Sequence, residues 1–293
     1  MAPDRTIDSR LAGVRRVIIG SLMNGAIARH IETRPAWIAG GKMLRSRLVL
    51  RVAAAAGVSD DTQRAAAAAV EMLHGASLLH DDVVDGGRLR RGEPAFWVEN
   101  GVKSAILMGD LVVCRAFLLV QQTGDGALMH EFIRASIEMC EAETEQELGL
   151  RDAVPDWATC VSLARRKTGS LFAFAGVGGA GADAGLRDAL REAGYAIGTT
   201  YQLADDILDA YGDPEAAGKT LGSDAAGAKV TAAAALRGAG VDLRQYVEQT
   251  WQGAEAALAR WPEVRAAWRA YVTEDIGPAI RACLDRLPNE AFS

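Results

Sequence analysis

The decisive stretch is Ser77-Leu78-Leu79-His80-Asp81-Asp82-Val83-Val84-Asp85, and it has a counterpart in Tyr201-Gln202-Leu203-Ala204-Asp205-Asp206-Ile207-Leu208-Asp209. Each sets three aspartates into apolar sequence. The apolar spacing around both is helical, and on a helix Asp81 lies above Asp85 and Asp205 above Asp209. Two carboxylates about 6 Å apart repel by roughly 3 kcal/mol at an effective dielectric near 20. Charge clustered in this way among Leu, Val and Ile requires a neutralising partner, and the simplest is a metal ion. Mg²⁺ takes one or two carboxylates and completes its shell with water and phosphate oxygens. Two facing acidic stripes therefore suggest a cavity that holds a diphosphate through several Mg²⁺ ions.

Outward from these motifs, Ala- and Leu-rich segments of helix length alternate with Gly-, Pro- and Asp-rich breaks, and strict alternation is rare. The pattern predicts an all-α fold of about ten helices in a single domain covering residues 1–293. Ala65–Asp85 and Leu186–Tyr211 are the helices expected to carry the acidic motifs near their C-terminal ends. With 293 residues and 49% hydrophobic content, the chain can bury a sizeable core. Its net charge of −6 argues against nucleic acid as a partner. The four cysteines contain no CxxC pair, which suits a reducing compartment. The N-terminus lacks a signal-peptide core, and the apolar run Ala105–Val120 carries Asp110 and Arg115. A soluble cytoplasmic protein, not an integral membrane protein, is expected.

Cations interleave with the acidic motifs. Gly40-Gly41-Lys42-Met43-Leu44-Arg45 sets two basic residues after a glycine pair, where a helix N-terminus would add free N–H groups. Arg88-Leu89-Arg90-Arg91-Gly92 follows the first motif, Lys167-Thr168-Gly169 opens an apolar run, and Lys219 and Lys229 lie beyond the second motif. His74 shares the face of Asp81 two turns earlier. Glu71-x-x-His74 has no second copy, so the paired motif of a di-iron bundle is missing. His30, His80 and His130 offer no paired ligand spacing.

Together these residues resemble the trans-isoprenyl diphosphate synthases, or polyprenyl synthetases. The match runs from about residue 35 to 230: Gly41-Lys42-x-x-Arg45, Glu71-x-x-His74, His80-Asp81-Asp82-x-x-Asp85, Arg90-Arg91-Gly92, Gly109-Asp110, Lys167-Thr168, Gln202-x-x-Asp205-Asp206-x-x-Asp209, Gly218-Lys219, Asp224 and Lys229. The resemblance implies an isoprenoid-synthase-type bundle around a deep central cavity, a homodimer, and condensation of an allylic diphosphate with isopentenyl diphosphate. Asp81, Asp85, Asp205 and Asp209 would hold about three Mg²⁺ ions on the allylic diphosphate, supported by Asp82 and Asp206. Arg90, Lys167, Lys219 and Lys229 would contact that diphosphate. Lys42, Arg45, His74 and Arg91 would bind the diphosphate of isopentenyl diphosphate. Oxygens of Thr168 and Gln202 would stabilise the allylic cation, with no protein nucleophile or dedicated base.

In this family the residues four and five places before the first motif guard the product tunnel. Here they are Ser77 and Ala76, both small, which implies a medium- or long-chain polyprenyl product rather than a farnesyl or geranylgeranyl one, with Met72, Leu73 and Phe172 as deeper residues able to close the tunnel. The chain departs from the family pattern at Ser46 (usually Pro), Tyr201 (usually Phe) and Ala228 (usually Gly). It also lacks Leu-Pro after Ala232 and ends at Ser293 without the basic tail many relatives fold over the site, which bears on how the cavity closes and on activity as a lone subunit. A class I terpene cyclase shares the first motif but carries an Asn/Asp-Ser/Thr-Glu motif in second place. A non-catalytic partner subunit often loses one acidic motif, and both are intact here.

Overall fold

A computed structural model describes residues 7–23, 27, 28, 30, 36–150, 153, 156–211, 231–236 and 239–287. The helices are α1 (Ile7–Leu22), α2 (Ala36–Ala39), α3 (Leu44–Ala55), α4 (Asp60–Val84), α5 (Phe96–Asn100), α6 (Val102–Gln121) and α7 (Gly126–Thr144). They continue with α8 (Trp157–Ala164), α9 (Ser170–Gly178), α10 (Ala184–Tyr211), α11 (Ala232–Ala235), α12 (Leu243–Ala257), α13 (Pro262–Ala270) and α14 (Gly277–Leu284). Wider π turns extend α7 through Glu145–Gly149, join α8 to α9 through Arg165–Gly169, and join α13 to α14 through Tyr271–Ile276. Joined in this way, the long helices of the described residues come close to the ten expected.

Helix α4 starts five residues earlier than the apolar pattern indicates. Ser59 caps it, accepting from the Thr62 amide at 3.2 Å, and Asp60 and Asp61 favour the positive helix end. Ala66, Ala67, Ala68, Ala69 and Val70 are all fully buried. That stretch of α4 is enclosed on every side, so its sequence shows no amphipathic stripe. Around it pack α1, α3, α6 and α9.

Helix α10 is the second axis, packed against α9, α12 and α14. Glycines permit its crossing with α9. A Cβ at Gly194 would stand 2.2 Å from the Phe172 carbonyl oxygen, and one at Gly198 would stand 2.5 Å from the Gly169 Cα. Gly169, at the opening of the apolar run, therefore lies at a close helix crossing.

One β element interrupts the helices. Leu89–Arg90 and Glu93–Pro94 pair antiparallel. Arg91 and Gly92 between them have φ of 56° and 79°, the conformation a tight two-residue hairpin turn requires.

Helix α6 is long and apolar enough to cross a membrane by length and composition, with mean hydropathy 1.7 over its most apolar window. One of its faces packs on α4 through Ala105, Met108, Gly109, Val112, Ala116 and Val120. The opposite face leaves Leu107 68% exposed, and neighbouring α7 leaves Ile137 51% exposed.

Candidate active site

The C-terminal halves of α4 and α10 line one cavity of about 480 Å³. Helix α4 contributes Glu71, His74, Ser77, Leu78, Asp81, Asp82 and Asp85, spaced along one helical face. Helix α10 contributes Tyr201, Gln202, Asp205, Leu208 and Asp209 in the same manner. Between them come Gly40–Arg45, the hairpin residues Leu89, Arg90 and Arg91, Met139 and Glu143 of α7, and Lys167, Thr168 and Leu171.

Both acidic motifs occupy the last turns of their helices, where the carbonyl ends carry partial negative charge. Carboxylates there cost about 0.3–1 kcal/mol each, so a cation bound among them relieves two repulsions together. The donor set is all hard oxygen. Among the described residues no three Asp, Glu, His or Cys side chains converge tightly enough to hold an ion alone. That arrangement fits Mg²⁺, which shares a few carboxylates with water and phosphate oxygens.

The middle aspartates are committed to protein partners. Asp82, 4% exposed, accepts from Arg90 Nε at 3.0 Å and from a second guanidinium nitrogen of the same residue. Asp206 accepts from the Ala232 amide and from Gln202 Nε2, each at 2.8 Å, and it does not line the cavity. Gln202 Oε1 in turn accepts from Thr168 Oγ1 at 2.5 Å. The π turn Arg165–Gly169 thus presents Thr168 to α10 and Lys167 to α7.

Lys167 pairs with Glu143 at 2.7 Å and donates to Gln146 Oε1 at 3.2 Å. Sequence reasoning missed Glu143 and Gln146. Their i, i+3 spacing within Glu141–Glu147 was a usable signal, but it is masked by a run that reads as a solvated acidic face. His80 also has a place in the packing: its Nε2 lies 3.1 Å from the Ile106 carbonyl oxygen and 3.4 Å from Asp110. A Cβ at Gly109 would fall 2.2 Å from that nitrogen, so glycine is required beside it.

The opposite wall is cationic. Helix α3 begins at Leu44, preceded by Met43 in left-handed conformation (φ 50°, ψ 48°), so Lys42 stands outside the helix and Arg45 in its first turn. Arg45 is 8% exposed; its Nε is buried without a hydrogen-bond partner, and its guanidinium lies 4.8 Å over the Phe172 ring. Burial lowers its pKa, and Glu71 opposes that shift. Glu71 itself accepts from the Ser46 amide at 3.0 Å, a bond that the proline usual at this position lacks the N–H to make. The Arg91 guanidinium lies against Gly41, 3.0 Å from where a Cβ would stand. Burial, then Arg45, Arg91 and Arg90, push the His74 pKa well below its ordinary value, so its ring is neutral near pH 7. A buried guanidinium beside further cations, with little carboxylate to balance it, is a site for an anion.

Of the chain-length positions, Ser77 lines the cavity and donates to the His74 carbonyl at 2.9 Å, whereas Ala76 is fully buried and does not line it. Met72 and Leu73 are buried in the core, and Phe172 turns toward Arg45 and Tyr201. Behind Met139 and Leu171 the packing is aromatic: Phe132 meets Phe117 at 4.9 Å and Phe174 at 4.8 Å between ring centroids. Lys219 and Lys229 lie outside the described residues.

An all-α bundle with two acidic helices facing across one cavity has the architecture of the isoprenoid synthases. Residues 33–252 match the polyprenyl synthetase family model, and the chain belongs to that family. It is 37% identical over 195 residues to a short chain isoprenyl diphosphate synthase of Methanocaldococcus jannaschii, covering 64% of this chain and 59% of the relative. It is 34% identical over 195 residues to an octaprenyl diphosphate synthase of Haemophilus influenzae, covering 66% and 59%. The chain thus spans about three fifths of the length of these curated relatives. A polyprenyl synthase from Caulobacter crescentus CB15, crystallised with calcium and an isoprenyl diphosphate, superposes with a TM-score of 0.73 at 33% identity, covering 98% of this chain and 92% of that one.

Proposed function

We propose that the protein is a trans-prenyltransferase that condenses an allylic diphosphate with isopentenyl diphosphate. The observation that carries this reading is the pairing, in one cavity, of two acidic helix ends with a separate cationic pocket around Arg45, whose buried Nε has no hydrogen-bond partner. One wall suits a metal-clamped diphosphate and the other a second, directly bound diphosphate. A reaction that joins two diphosphates needs both.

Asp81, Asp85, Asp205 and Asp209 would hold about three Mg²⁺ ions, whose chemistry is to neutralise the leaving pyrophosphate. Arg90, held by Asp82, and Lys167, held by Glu143, supply fixed positive charge to the same group. The Thr168–Gln202 pair presents oxygen dipoles where positive charge develops at the allylic carbon. Lys42, Arg45, neutral His74 and Arg91 bind the diphosphate of isopentenyl diphosphate. The final proton leaves to the departing pyrophosphate.

The relatives named above range from short chain to octaprenyl synthases, so product length rests on the cavity. Small Ser77 leaves the way open beside α4, and the Phe117–Phe132–Phe174 layer is the barrier two turns of α7 below Met139, about 10 Å deeper. We read a medium- or long-chain product from the small Ser77 side chain at the cavity wall. Mass spectrometry of products from farnesyl diphosphate plus isopentenyl diphosphate tests it. Phe132→Ala should lengthen the product and Ser77→Tyr should shorten it. A wild-type product that stops at farnesyl or geranylgeranyl diphosphate rules the reading out.

The exposed apolar face of α6 and α7 supports a homodimer of single-domain subunits, working in the cytoplasm. Leu107→Glu with Ile137→Glu should yield monomers by light scattering. Pyrophosphate release by the purified protein decides the reaction class. Release only with both substrates is expected. Release from the allylic substrate alone would mark a cyclase, and none at all a partner subunit.

A further inference from the structure

Tyr201 stands where the family pattern usually has phenylalanine, so its hydroxyl is an added polar atom at that position. The side chain is partly buried and lines the cavity between Gln202 and the cationic wall. Its ring centroid lies 6.0 Å from that of Phe172, the ring that carries the Arg45 guanidinium. The hydroxyl makes no hydrogen bond to any described residue. The other inward tyrosines differ: Tyr271 donates to the Leu44 carbonyl at 3.0 Å, and Tyr195 donates to Glu138. Burial and then the Asp205 carboxylate push the Tyr201 phenol up to about 12, so it keeps its proton across the physiological range. Leaving a phenol donor unpaired at a cavity wall is costly unless water or a ligand takes the bond.

The titratable groups that act on Tyr201 are Asp205, Arg45, Cys283 and Glu71, and of these only Arg45 is a cation. A phosphate oxygen is repelled by bare carboxylates and attracted by Arg45. We propose that the Tyr201 hydroxyl donates a hydrogen bond to a non-bridging oxygen of the diphosphate bound at Arg45, making Tyr201 an additional binding residue for isopentenyl diphosphate. This rests on the prenyl-transfer reading. It assigns to the substitution at position 201 a gain in affinity for the five-carbon substrate.

The variant Tyr201→Phe removes one oxygen and keeps the ring. The test is calorimetric titration of isopentenyl diphosphate into wild type and variant, each with Mg²⁺ and inorganic pyrophosphate, together with steady-state kinetics. Loss of a hydrogen bond to a charged oxygen should weaken the dissociation constant and KM for isopentenyl diphosphate about tenfold, with KM for the allylic substrate changed less than about twofold. Tm should stay equal or rise, since no intramolecular bond is lost. Equal isopentenyl diphosphate affinity in the two proteins overturns the proposal, as does a KM change confined to the allylic substrate or a clear fall in Tm. Wild-type protein that binds no isopentenyl diphosphate overturns the prenyl-transfer reading, and this proposal with it.

Discussion

The two acidic motifs space their three aspartates identically and differ in what the middle one does. In the first, Asp82 holds a cation: it grips Arg90 on the hairpin that follows α4 and so fixes a positive charge at the cavity mouth. In the second, Asp206 holds the backbone: it takes the Ala232 amide at the start of α11 and braces Gln202 beside Thr168. The outer aspartates of both motifs line the cavity in equivalent fashion. A repeated motif thus keeps its cavity-facing carboxylates and diverges where each helix end meets different chain.

If the outer aspartates are equivalent, Asp81→Ala and Asp205→Ala should each lower kcat by roughly 10²–10³, as loss of one preorganised electrostatic contact does. A difference of more than about tenfold between them would break the equivalence. The middle residues should separate the motifs. Asp82→Asn loosens Arg90, whose side chain is 28% exposed, and should cost about 1–2 kcal/mol of stability while raising KM for the allylic diphosphate. Asp206→Asn keeps one oxygen for the Ala232 amide and should cost about 1 kcal/mol with little change in that KM. Chemical denaturation with parallel kinetics reads both, and identical profiles would erase the distinction.

The smallest effect concerns the cationic wall that faces both motifs. The folded pKa of His74 lies below its unfolded value of about 6.5. Between the two pKa values the unfolded state binds more protons, so folding stability falls as pH drops below about 6.5 and is insensitive to this group above it. His74→Gln should flatten that decline in Tm between about pH 6.5 and 5. An unchanged slope would mean that His74 is not held neutral by its surroundings.

Much of this was legible in the residues. Charge set in apolar helical sequence pointed to both acidic faces of the cavity, and the cations interleaved with them pointed to its second wall, because burying like charges together demands partners whatever the fold. What escaped had contrary local signals. Gly57–Asp61 reads as a break, yet Ser59 within it caps a helix that starts at Asp60. Gly176–Gly185 reads as a break, yet α9 runs on to Gly178 and Gly176 lets it touch α10 at the Leu190 carbonyl. The resemblance names Ala76 and Ser77 alike, and only the packing separates them: Ser77 lines the cavity and Ala76 is fully buried beside it.

The sequence by itself determined the helical class, the two acidic faces and the stock of cations, since those follow from periodicity and the cost of unpaired charge. Only the tertiary structure decided which aspartates meet the cavity and which serve as braces. It alone shows that Glu143 holds Lys167, that the Arg45 Nε is buried without a hydrogen-bond partner, and that Phe132 packs between Phe117 and Phe174. These depend on contacts between helices far apart in the chain, and helical spacing fixes the direction of a side chain without fixing what stands opposite it.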